Sequence, residues 1–538
     1  MSFRAPKCLH PSPPSSMHMN AGNEAFRNIP NKDSHLPWYK NAGLLQLNLF
    51  LLCIFTGQFL NGYDGALISS FQAMKPWLTT LNLENSTEKA TDIGLLNAAV
   101  YLAGLCISPF AAWVSDRFGR KWCIRYSSIA NLIGTAIGAA AGAGSTHGYA
   151  MFMMSRIIIG SGLAFCVMIS PIMLQELPHP KHRVLMAGLF DVAYIAGSFV
   201  SAWVTFGCSY IENDWAWRIP YLIHLPFAAI MIILISLVPE SPRWLFKQGR
   251  EDEGKAFMVK YHANGEENDE LVAFEISEIQ GALRIEREAK QDTWKMILSS
   301  RSSLHRLACV ILIVTMQNLS GTAIIAYYYT SILKLVGITE TSTQTGINAG
   351  LTSFTVVMAL AGVWLTKRIR RKTQIYVSWT GVLLSNIGLI VSTSLYTKTG
   401  HKSAGLAAVF FVWIYNGSFF LACGPIFFSY PAEVLHLSMR AKGMMIWTIC
   451  GKVMSVFSSY VNPVAMTNIA WKWYFFYTAI IVVTGILAHF VLVETKGRTL
   501  EEIGELFDGE ILQAHMDHTN YELGSDDEKM SEKSLKNV

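Results

Sequence analysis

Charged side chains are rare inside the apolar runs of this chain, and those that occur there are the first candidates for chemistry. Asp64 lies in the final third of the apolar stretch from Leu44 to Phe71. A carboxylate at the centre of a bilayer costs roughly 2.5 to 3.5 kcal/mol on insertion scales, so it normally faces protein or a water-filled path. Two readings are open: a helix-end acid that meets water, or a carboxylate that binds and releases a proton in a transport path. Arg156 opens Arg156-Ile157-Ile158-Ile159-Gly160-Ser161-Gly162 in a later apolar run. It either snorkels to an interface or offers a guanidinium, and a guanidinium close to a buried acid lowers its proton affinity while burial raises it. Asp191 is a further acid in an apolar run, able to bind hydroxyl groups, join a proton path or select a cationic cargo.

These residues need membrane-spanning elements to hold them. Among 538 residues, 51% are hydrophobic and 15% charged, with a mean hydropathy of +0.32, which excludes an ordinary soluble protein and implies a polytopic membrane protein. The net charge of +5 is modest, and the basic residues cluster between apolar runs, which argues against a nucleic-acid partner. The nine cysteines are scattered without paired spacing, so neither a metal site nor a disulfide framework is expected. No nucleophile–base set stands out, so the chain reads as a non-enzyme without a cofactor. Residues 1–37 are polar and lack the apolar core of a cleavable signal peptide. The first apolar run is expected to direct insertion and remain.

At about 20 residues per span, the apolar runs predict helices near 44–70, 92–113, 123–144, 149–173, 184–207 and 218–238. Six more fall near 303–333, 343–366, 373–396, 405–430, 440–463 and 471–493. This divides the chain into a tail over 1–43, a six-helix half over 44–238, a middle loop over 239–302, a second half over 303–493 and a tail over 494–538. Alternate connections hold Arg117, Arg120 and Lys121; Lys181 and Arg183; Lys367 through Lys372; and Arg440 with Lys442. The positive-inside rule puts these turns, the middle loop and both termini in the cytoplasm. Asn85-Ser86-Thr87, on the opposite side, is a glycan-acceptor triplet, a pattern that also arises by chance. Val272, Ile276, Ile279 and Leu283 recur at helical spacing in the middle loop, as an amphipathic helix against the bundle or as a solvated linker helix.

Three signatures in the basic connections occur twice. Asp116-Arg117-Phe118-Gly119-Arg120-Lys121 corresponds to Lys367-Arg368-Ile369-Arg370-Arg371-Lys372, with Lys367 in place of the acid and Arg370 in place of the glycine. Glu176 and Arg183 correspond to Glu433 and Arg440, each pair seven residues apart, and Glu240 of Pro239-Glu240-Ser241-Pro242-Arg243 corresponds to Glu494. The near-constant offset implies two parallel halves related by an axis along the membrane normal, with the path between them. The expected architecture is all-α, with twelve transmembrane helices and a helical middle loop.

Taken together, Asp116-Arg117-x-Gly119-Arg120, Pro239-Glu240-Ser241-Pro242-Arg243 and Glu494-Thr495-Lys496-Gly497-Arg498-Thr499-Leu500-Glu501-Glu502 resemble the sugar porter family of the major facilitator superfamily, over about 44–505. Glu176-Leu177-Pro178-His179-Pro180 and Ala202-Trp203-Val204-Thr205-Phe206-Gly207 resemble its fungal lactose and cellodextrin permease branch. The resemblance implies sugar uptake, of a disaccharide or hexose, by alternating access in a fungal plasma membrane by a monomer. It places Arg156 opposite Asp64 as the proton-coupling pair. It makes Asp116, Arg120, Glu176, Arg183, Glu240, Arg243, Glu433, Arg440 and Glu494 a cytoplasmic gate when the protein opens outward. It points to Gln317, Asn318, Tyr327 and Tyr328 as sugar ligands, with Asp191, Asn348, Asn416 and Phe428 as further candidates. Amides suit a polyhydroxyl ligand because each supplies a donor pair and an acceptor. Asp191 stands where the family commonly has an amide, and Ala323 where it has an asparagine, so a polyol, cyclitol or secondary metabolite is the alternative cargo. A non-transporting sugar sensor is the other alternative; it favours a longer tail than residues 494–538.

Overall fold

A bilayer offers no water to backbone N–H and C=O groups, so an apolar run crosses it as a helix that satisfies them internally. The computed structural model describes residues 38–84, 88–143, 147–289, 300–427, 429–435, 437–496 and 507. The helices belong to one compact unit, Asn31–Glu494. Its first half holds α1 (Ala42–Phe71), α2 (Lys89–Phe118), α3 (Arg120–Ala139), α4 (Gly148–Glu176), α5 (Arg183–Cys208) and α6 (Trp215–Leu237). The middle segment forms α7 (Pro242–Lys247), α8 (Glu251–Tyr261) and α9 (Glu270–Ala289). The second half holds α10 (Arg301–Asn318), α11 (Thr322–Leu335), α12 (Thr341–Arg368), α13 (Arg371–Thr399), α14 (Lys402–Ile426), the short α15 (Ser429–Val434), α16 (Leu437–Ile469) and α17 (Tyr474–Val491). With α10 and α11 as one broken span, these give twelve transmembrane segments in two six-helix halves.

Two of the spans break, each for a local reason. Within α6 the helix is interrupted at Ile223, where Pro226 has no N–H to offer the carbonyl of Leu222. The seventh span breaks between Asn318 and Thr322, and Gly321 there takes a left-handed φ of +101° that a side chain would resist. This break falls inside the stretch expected to hold sugar.

Packing separates the helix faces. Leu47, Leu51, Ile54 and Leu60 of α1 are buried, while Leu49 and Leu52 of the same helix are exposed on the side available to lipid. Inside the halves α3 packs on α4, α1 on α5 and α13 on α14; between the halves α2 lies along α16 and α5 along α12. The apolar stripe of α9 does dock: Val272 and Leu283 are buried, and Ile276 and Ile279 pack against the cluster that contains Leu47, Phe50 and Leu174. The middle segment is therefore a cap on one end of the first half.

Candidate functional site

Asp64 and Arg156 meet. Nη1 of Arg156 on α4 donates to Oδ1 of Asp64 on α1 at 2.6 Å, and the two side chains are only 4% and 3% exposed. Two ions taken out of water compensate each other only at such short range, and removing one partner of a buried pair typically costs about 3 to 5 kcal/mol. Arg156 is thus held by its acid, and its Nε is buried without a hydrogen-bond partner. Aromatic and hydroxyl groups surround the pair. Tyr63 donates to the carbonyl of Pro220 at 2.8 Å, Ser155 and Tyr221 share a 2.6 Å bond, and the His224 ring lies against Tyr63 and Tyr221. Thr135 holds Nδ1 of His224 at 3.3 Å, while Nε2 is buried without a partner. No spacing in the sequence linked His224, Tyr221 and Ser155 to Asp64; they converge because α3, α4 and α6 pack together.

The expected sugar ligands are dispersed over the junction between the halves. Gln317, at the end of α10, keeps a buried Oε1 without a partner. Asn318 is engaged: Nδ2 donates to the carbonyl of Val314 at 2.9 Å, and Oδ1 accepts from Ser455 of α16 at 3.0 Å. Tyr415 donates to the carbonyl of Ser320, which pins the broken segment. Asn348 donates to Ser70 of the other half at 3.1 Å, whereas Asn416 donates to Thr355 at 2.6 Å within its own half. Asp191 is partly buried on α5, without a hydrogen bond or ion pair among the described residues. Tyr327 and Tyr328 lie on α11 with side chains outside the description, and Phe428 and Asn85 fall outside the described residues.

At the end with the basic turns, the repeated motifs make repeated contacts. Arg120 pairs with Glu176, its Nε at 3.1 Å, and Glu240 accepts from the backbone N–H of Arg120 and Lys121 at 3.0 and 3.2 Å. In the second half Arg371 pairs with Glu433 at 3.4 Å, and Glu494 accepts from the N–H of Arg371 and Lys372 at 2.9 and 3.0 Å. Burial pushes the Glu240 carboxyl above its ordinary range, and the N–H groups of Ser241, Lys121 and Arg120 pull it back. Asp116 is exposed and reaches Lys247 at 3.2 Å, and Arg243 lies partly buried at the start of α7. The side chain of Arg440 is outside the description. Among the described residues the Arg120–Glu176 and Arg371–Glu433 pairs each lie within one half.

Arg183 departs from its expected setting. It reaches Glu275 of α9 at 3.3 Å, and Glu275 also meets Nδ1 of His262 at 2.7 Å, both of these side chains being 1% exposed. The carbonyl of Leu177 can only accept, so Nε2 of His262 donates to it at 3.1 Å. A buried charge cluster therefore ties the middle segment to the turn between α4 and α5. Beside it, burial and the neighbouring His262, His182, Lys181 and Arg183 push the His179 ring down to about 2, and it stays neutral.

The two ends differ in how the halves meet. Away from the basic turns, hydrogen bonds among the described residues cross between them: Lys334 to the carbonyl of Gln72 at 3.4 Å, Thr341 to that of Ala73 at 3.0 Å, Asn348 to Ser70, and Trp203 to Ser353 at 3.0 Å. That end is closed. Residues 49–507 match the family described as "Sugar (and other) transporter". The chain belongs to the sugar porter family. The porter is 25% identical over 456 residues to an MFS-type transporter of Aspergillus cristatus, covering 84% of this chain and 91% of that one. It is 26% identical over 519 residues to a hexose transporter of Saccharomyces cerevisiae, covering 93% and 89%. Its fold is like that of the xylose transporter XylE from E. coli in an inward-open form, at a TM-score of 0.70, 20% identity and coverage of 86% and 99%. A second XylE structure, of the proton:xylose symporter bound to a bromodeoxyglucose, gives 0.69 at 21% identity with the same coverage. As its fold and family require, the porter is a transporter and not an enzyme.

Proposed function

We propose that this porter carries a disaccharide or hexose together with protons into the cell, as a monomer of the plasma membrane with both termini in the cytoplasm. The observation that carries the reading is the buried pair of Asp64 and Arg156. The Arg156 guanidinium, at 2.6 Å, and a proton are alternative partners for the Asp64 carboxylate, and movement of Arg156 relative to Asp64 exchanges one for the other. Rocking of the halves between two open states supplies that movement, and cargo binding at the junction biases which state is populated. In this orientation the closed end is the outer one, and the structure faces inward. Gln317 and Asn318 beside the broken seventh span serve as hydroxyl-binding amides, and the paired acids and bases at the basic end set the inner gate. The names of the yeast hexose transporter and of the proton:xylose symporter are consistent with this cargo and coupling.

The test is uptake by the full chain in proteoliposomes under an imposed proton gradient, with Asp64→Asn as the variant. Accumulation against a gradient is expected to be abolished while counterflow of the same sugar persists, because the proton is lost and the pocket remains. Undiminished proton-driven accumulation by well-folded Asp64→Asn protein removes Asp64 from the mechanism.

A further inference from the structure

Lys452 is a second cation inside the bundle, and neither the Asp64–Arg156 pair nor the gate uses it. It lies near the midpoint of α16, which runs along α2 of the other half. Its Nζ stands 5.5 Å from the centroid of the Tyr101 ring, and a side-chain carbon added to Gly104 would lie 3.6 Å from it. The ammonium therefore projects from one half toward the other, at mid-depth. Among the described residues it makes no ion pair and no hydrogen bond. The face of a tyrosine is worth about 0.5 to 2 kcal/mol to a cation. That is less than the roughly 2.5 to 3.5 kcal/mol that a lysine costs at the centre of a spanning helix.

The acids on neighbouring elements leave this partly buried lysine uncompensated: Glu275 of α9, which packs against α16, is taken by Arg183 and His262. Asp64 is taken by Arg156. Asp191 sits on α5, which packs against α1 and α12, while α16 packs against α2 and α10. Water can solvate Lys452 while the path is open. When the halves close on a cargo, that water leaves, and a charge without a partner then carries the full cost of desolvation. A cargo with its own negative charge removes the cost; a neutral sugar does not. The neighbourhood suits a polyhydroxylated compound: one turn along α16, Ser455 bonds Asn318, and Gln317 beside it holds the unpartnered Oε1. A lysine ammonium is a compact point charge, and a single carboxylate on the cargo is enough to compensate it.

We infer that Lys452 is the subsite for a carboxylate on the cargo, so that the transported compound is a polyhydroxylated acid of the sugar-acid class. The inference rests on the proposed transport function and narrows its substrate. The test is calorimetric binding to the purified full-length chain at pH 7, with three matched pairs: D-glucuronate and D-glucose, D-galacturonate and D-galactose, D-gluconate and D-glucitol. At least one acid is expected to bind ten-fold or more tightly than its neutral counterpart. Lys452→Gln should weaken that acid at least ten-fold and leave the neutral compound within three-fold, and Lys452→Arg should retain the preference. Acids no tighter than their counterparts, or an equal loss for both in Lys452→Gln, reduces Lys452 to a strap on Tyr101 and overturns the inference alone. If none of the six compounds binds, this inference is overturned and the hexose form of the transport reading falls with it, whereas disaccharide uptake in the proteoliposome assay decides the transport reading separately.

Discussion

Gly119→Ala is the substitution for which the geometry gives the sharpest expectation. Gly119 joins α2 to α3 with φ +100° and ψ 167°, a region that only glycine occupies without strain. A side chain held there costs of order 1 to 3 kcal/mol. An alanine methyl at this position would also collide with Oε2 of Glu240, the carboxylate that accepts from Arg120 and Lys121. Moving that carboxylate away sacrifices at least one hydrogen bond to a charged group, roughly 1.5 to 3 kcal/mol. The two terms together predict a loss of about 2.5 to 6 kcal/mol. For a cooperative unit of about 200 residues that lowers the melting temperature by on the order of 10 °C. The internal control is Arg370, the counterpart in the second half, whose φ is −69°. Arg370→Ala should change stability by less than about 0.5 kcal/mol. Tryptophan-fluorescence melts of the detergent-purified chain measure both. An intact melting temperature in Gly119→Ala, or equal losses at the two positions, refutes the reasoning.

Two further outcomes are expected from other parts of the molecule. His179 is held neutral, with its ring pushed down to about 2, so between that value and about 6.5 the unfolded chain binds a proton that the folded chain does not. Stability should therefore fall as pH drops below about 6.5, with His179 contributing about 2 kcal/mol of the loss by pH 5, and His179→Asn should flatten that limb of a melting-temperature profile. Asp191→Asn should preserve most sugar uptake, because an amide of the same shape replaces a carboxylate in hydroxyl bonding; a shifted pH profile of uptake would assign Asp191 to proton movement instead.

The spans were legible because hydrocarbon imposes one solution on a long apolar run. The repeat was legible because the two halves bind their own turns with the same residue types, and Glu240 and Glu494 cap successive N–H groups in the same way. Substituting Arg370 for the glycine did not prevent this, since the second turn is extended where the first has positive φ. The break in α6 had a signal in Pro226 that an apolar window averages away. His224 and Tyr221 carried no signal, because only packing of α6 on α3 and α4 brings them to Arg156. The stripe of α9 fitted a docked helix and a solvated linker equally in sequence, and the buried Glu275 on the same helix reads there as one more surface acid. Lys452 had the same signature as Asp64, a lone charge in an apolar run, but no motif around it.

The four hydrogen bonds that join the halves at the closed end among the described residues have a consequence for how readily the protein changes state. Bonds between helices in membranes average about 0.6 kcal/mol, so the set amounts to roughly 2 to 3 kcal/mol. Were those bonds the whole difference between the two states, the opposite conformation would be populated at about one molecule in thirty to one in a hundred and fifty. A cargo needs only a comparable difference in affinity between the two states to equalise them. The door is latched lightly enough for one small solute to move it.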